Sequence, residues 1–108
     1  MASEEMRVLQ KLLKEIEELK FGLDPTVLGS WYSKVESDAK AKAPLHLRDS
    51  IQVVQNEILP MKFEFKTSKR AVSYVFEAIE YNLPSMPFAT RLYFQKLEEL
   101  IELQMSRS

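Results

Sequence analysis

The sequence predicts an all-α fold, a compact bundle of four to five antiparallel helices with one short extended connector. Three observations carry that reading. Apolar residues recur at three- and four-residue spacings through most of the 108-residue chain, which is the period of a helix with one buried face. All five prolines fall where that period breaks, as befits a residue that cannot continue a helix interior. The breaks are short, and short connections favour antiparallel neighbours.

The first helix is expected over 3–21. Ser3 is placed to cap it, and Glu4 and Glu5 sit in the first turn, where the helix dipole favours negative charge. Met6, Leu9, Leu13 and Ile16 form its stripe, and Leu12 and Leu19 widen it. Gly22 follows as a stop. Asp24-Pro25 restarts a helix over 24–42, with Asp as N-cap and Pro at the first helical position. Its stripe is Val27/Leu28, Trp31/Tyr32, Val35 and Ala39. Pro44 disfavours helical geometry at Ala43, so the helix ends or kinks there.

A third helix is expected over 45–59, with Leu47, Ile51, Val54 and Ile58 facing inward and Pro60 as its stop. Met61-Lys62-Phe63-Glu64-Phe65-Lys66 alternates apolar and charged residues. With no partner strand in sight, this reads as an extended connector. Thr67 or Ser68 caps a fourth helix to about Asn82, with Val72, Val75/Phe76, Ile79 and Leu83 inward. Leu83-Pro84-Ser85-Met86-Pro87 breaks it, and a fifth helix follows over 86–105. Its stripe is Tyr93/Phe94, Leu97, Leu100/Ile101 and Gln104/Met105, with Glu98, Glu99 and Glu102 expected outside. The adjacent pair Tyr93 and Phe94 is not expected to point straight inward together. The whole, 1–108, reads as a single helical domain.

Composition excludes several functions. There is no cysteine, which removes disulfide scaffolds, zinc ribbons and thiolate nucleophiles. Fifteen basic and sixteen acidic residues nearly balance, against a uniformly basic nucleic-acid binder. No strictly apolar run exceeds three residues, so no membrane contact by a spanning helix is expected. The acidic start, Met1-Ala2-Ser3-Glu4-Glu5, lacks the basic and apolar regions of a signal peptide, so a cytoplasmic location is expected.

Catalysis finds little support. A di-iron bundle needs Glu-x-x-His pairs, and the single histidine, His46, has Ala43 three residues before it. The pairs Glu15/Glu18, Glu77/Glu80 and Glu98/Glu102 share helix faces off the apolar stripe and read as solvated. His46, Asp49 and Ser50 lie on one helical face, but one helix surface gives neither a pocket nor an oxyanion hole. Gly22 and Gly29 are too few for a phosphate loop. The chain is therefore expected not to be an enzyme, with no catalytic residues, metal ligands or cofactor.

Binding features are stronger. Eight of eleven aromatics fall between Phe63 and Phe94. Tyr81, Leu83, Met86, Phe88 and Tyr93 surround the proline-stiffened loop at one end of the bundle, and they form the candidate protein-interaction site. Of these, Leu83, Met86 and Phe88 either dock into a partner or plug the bundle end. The expected function is thus a small accessory subunit that binds a larger protein or self-associates. The alternative is a nucleic-acid-associated factor, a subunit of a replication, repair or RNA-processing complex. It would use Lys62, Lys66, Lys69 and Arg70 to neutralise phosphates while Phe63 and Phe65 stack on bases.

Overall fold

A computed structural model describes residues 3–51 and 69–106. Among these residues five α-helices run in the order α1 (Glu4–Phe21), α2 (Pro25–Lys42), α3 (Leu45–Arg48), α4 (Lys69–Asn82) and α5 (Phe88–Ser106), with a 3-10 turn at Leu83–Ser85. There is no strand among the described residues. The expected connector at Met61–Lys66 and the second half of the expected third helix lie outside them.

Two of the predicted N-caps form, and the third, Thr67 or Ser68, lies outside the described residues. The Ser3 hydroxyl accepts from the Met6 N–H at 3.1 Å, and the Asp24 carboxylate accepts from the Thr26 N–H at 2.8 Å. Each satisfies one of the donors that the first helical turn leaves open. Pro44 separates α2 from α3 completely, because Ala43 takes an extended conformation with ψ at 145°.

The helix that begins at Leu45 breaks inside the expected 45–59 span, of which residues 52–59 lie outside the described ones. It stops at Arg48, where the Ser50 hydroxyl donates to the Leu47 carbonyl at 2.6 Å and the Ile51 N–H bonds back only three residues to Arg48. A serine that bonds locally offers the backbone an alternative to the helical ladder. Ile51 is nonetheless buried, so its side chain does what the stripe asked of it without the helix.

Each long helix takes its main partner from far along the chain. α1 packs along α5, and α2 packs along α4. Both pairs run antiparallel. Glu15 meets Lys96 while Val8 and Leu103 line the same groove further along. Asp38 meets Asn82 while Lys42 lies beside Ala78 and Tyr81. α5 also packs on α4 and on the 3-10 turn, and it reaches α2 through Tyr32. This helix is therefore covered around a wide arc.

That coverage corrects two expectations. Tyr93 and Phe94, neighbours on α5, are both fully buried. Both rings pack against Tyr32 of α2 and against each other. Glu98, expected outside, is buried in the same helix between Leu97, Leu100 and Ile101, all fully enclosed.

Asn82 locks the α2–α4 pair. Its amide donates to the Asp38 carboxylate at 2.9 Å and to the Ala78 carbonyl at 2.8 Å, and the residue is buried. Asn82→Ala is expected to cost about 1–3 kcal/mol, because it strips a donor from a partly buried carboxylate. Denaturant unfolding checks this, and a loss below about 0.5 kcal/mol would mean that the bridge carries no stability.

Candidate functional site

The candidate interaction residues divide into two groups. Leu83 and Met86 are buried at the loop and Tyr93 is buried against Tyr32 and Phe94, so none of the three leaves a surface to offer a partner. Tyr81 and Phe88 are 69% and 72% exposed. The cause lies in how the loop closes. Arg91, one turn into α5, donates from Nε to the Leu83 carbonyl at 3.1 Å and from a terminal nitrogen to the Met86 carbonyl at 3.2 Å. The guanidinium satisfies two loop carbonyls at once. Leu83 and Met86 then turn inward, and Phe88 at the start of α5 is left in water.

A residue that the sequence reading passed over joins Phe88. Phe21, the last residue of α1, is 94% exposed. The Glu15–Lys96 pair sets the register of α1 against α5. Phe21 lies six residues beyond Glu15, and Phe88 eight residues before Lys96. At about 1.5 Å per residue both are carried to the same end of the pair, about 9 and 12 Å from that ion bridge. Val27, in the first turn of α2 just past the short 22–24 connection, is exposed at that end as well. The only sequence signal for Phe21 is an aromatic at a helix terminus with Gly22 next, which periodicity does not weigh.

Tyr81 belongs to a different place. It lies on the α2–α4 pair, with the Lys42 ammonium 5.3 Å from its ring centre. Such a cation–π contact is worth about 0.5–1 kcal/mol at an exposed site. Leu45, three residues after Lys42, is largely exposed too.

Beneath these surfaces the polar chemistry is structural. The hydroxyls of Tyr32 and Tyr93 hydrogen-bond to each other, and both residues are buried. Their rings meet edge to face, and Phe94 packs against both. Burial holds both phenols well above the ordinary tyrosine range, so they stay neutral. Trp31, read as a stripe residue, is only partly buried against this core, and Tyr32 beside it takes the central position.

Between α1 and α5 runs an open groove of about 590 Å³, with Val8, Leu12 and Leu103 on its floor and sides. Lys96 spans it, 2.9 Å from Glu15 and 3.2 Å from Glu99. The hydrogen bond from Lys96 lowers the Glu15 carboxyl below its usual range and raises the lysine. Ion pairs this exposed contribute little stability.

Among the described residues no three His, Asp or Glu side chains converge to hold a metal ion. His46 is exposed, and the Ser50 hydroxyl is engaged with a backbone carbonyl. No helix among the described residues is long and apolar enough to cross a membrane. Of the alternative nucleic-acid patch, Lys62, Phe63, Phe65 and Lys66 lie outside the described residues. Lys69 and Arg70 open α4, and the placement of their side chains is likewise outside them. No family model, curated protein or solved structure matches the chain.

Proposed function

We propose that this protein is a non-enzymatic interaction module, a small accessory subunit of a larger intracellular complex, and that it docks through the end formed by Phe21, Val27 and Phe88. The observation that carries the reading is the exposure of two phenylalanines at one end of the α1–α5 pair, 94% and 72%. A phenylalanine left in water forgoes about 1.5–3 kcal/mol that burial would return. Neither ring contributes to this chain's own core. Both come from helix ends held by other contacts, Phe88 by the Arg91-braced loop and Phe21 by the α1–α5 packing. Aromatic side chains on rigid backbone lose little conformational freedom when a partner covers them.

The double variant Phe21→Ser/Phe88→Ser tests this. Its folding stability is expected to stay within about 0.5 kcal/mol of wild type, because neither ring is packed. Capture of the partner by the tagged protein is expected to weaken at least tenfold, the equivalent of about 1.4 kcal/mol. Equal capture by variant and wild type would refute the assignment of this end.

A further inference from the structure

We infer that Glu98 of α5 and Glu80 of α4 share a proton, forming a carboxyl–carboxylate pair that fastens the two helices and loosens when the proton leaves. The argument begins with an unsatisfied atom. Glu98 is 8% exposed, and its Oε2 is fully buried without a hydrogen-bond donor. An ionised carboxylate in that setting would lack both water and a donor, an arrangement that costs several kcal/mol. The Glu80 carboxyl lies within hydrogen-bonding reach of Glu98. Two carboxylates have no hydrogen between them, so a bond there exists only when one is protonated.

The proton belongs on Glu98. Glu80 is exposed, whereas Glu98 is buried, so the cost of a charge falls on Glu98. Protonated, Glu98 donates to Glu80 and removes a buried charge in the same act. The other groups around it push the same way. Glu102 stands one turn further along α5 and adds a second negative charge. From α1, Lys11 and Glu15 face the Lys96 groove, where Lys96 is held by Glu15 and Glu99. From α2 the titratable group that meets α5 is Tyr32, at Tyr93, and burial keeps it neutral. The 3-10 turn carries no titratable side chain. Burial first, then Glu80 and Glu102, raise the Glu98 carboxyl to about 8.

The sign follows from linkage. A carboxyl raised on folding binds its proton more tightly in the folded state. Its stabilising contribution is complete below the unfolded carboxyl range near 4.5 and is lost as pH climbs to about 8. Acidification therefore tightens the α4–α5 contact, and mild alkalinity slackens it.

Two measurements on the full chain test the pair. The first is a carbon-detected NMR titration of the side-chain carboxyls in the wild-type protein. The Glu98 signal is expected to titrate with a midpoint near 8, and a midpoint in the ordinary carboxylate range would overturn the proposal. The second compares thermal unfolding of wild type and Glu98→Gln between about pH 5.5 and pH 9. The glutamine keeps a donor to Glu80 without a titrating charge. Wild type is expected to lose about 10–15 °C across that range, and the variant less than half as much. Parallel curves would overturn the proposal. Should the variant fail to fold, the wild-type titration alone decides.

Discussion

Phe94→Ala is expected to destabilise the protein by about 3–5 kcal/mol, the range for emptying a large aromatic from a core. The ring is fully buried, 5.1 Å from the Tyr32 ring centre and 5.4 Å from that of Tyr93. Its loss removes packing from α2 and α5 together. A domain of this size has about 5–15 kcal/mol of net stability, so the variant should stand near the edge of unfolding. Denaturant unfolding followed by far-UV circular dichroism measures it. Phe88→Ala, six residues earlier on the same helix, is the control and should change stability by no more than about 0.5 kcal/mol. Similar losses at the two positions would contradict the division of the aromatics into core and surface.

The second large effect is a pattern across three variants. Tyr32→Phe or Tyr93→Phe removes one hydroxyl of a buried pair and strands the other. Each single variant is expected to lose about 1–3 kcal/mol, the cost of a buried polar group without a partner. The double variant Tyr32→Phe/Tyr93→Phe strands nothing and should return close to wild type. The two substitutions are therefore strongly non-additive, with a coupling energy at the upper end of the usual 0.5–3 kcal/mol. Additive losses would mean that each hydroxyl is satisfied elsewhere.

Much of the fold is legible in the residues themselves. Leu9, Leu12 and Ile16 face the core as their spacing requires, and Ser3 and Asp24 cap as their chemistry requires. These are local properties, set by helix period and backbone hydrogen bonding. Which helix covers which is not local. The short connection at 22–24 says that α2 follows closely, yet α1 finds its main partner in α5. An apolar stripe gives the direction a helix faces and says nothing of what covers its flanks. For that reason Tyr93 and Phe94 are buried together, and Glu98, which falls off the stripe, is buried with them.

The candidate site was legible in composition and not in geometry. Leu83, Met86 and Phe88 look alike on paper, since all are large apolar residues around two prolines. Arg91 separates them by drawing the Leu83 and Met86 carbonyls to its guanidinium. An arginine on a predicted helix carries no sign that it braces the preceding loop. Phe21 carries even less, because its role at the end with Phe88 depends on the register of two helices far apart in the chain. The break after Arg48 is hidden from the sequence for a related reason. The Ser50 hydroxyl competes for the Leu47 carbonyl, and apolar spacing is blind to that competition.

The measurement that bears most directly on the central claim is affinity capture of the tagged protein from its host's lysate, in parallel with and without nuclease, read by mass spectrometry. The account predicts a stoichiometric protein partner that is retained in equal amount after nuclease treatment. Partners that vanish with nuclease, or recovery of this chain alone, would contradict it.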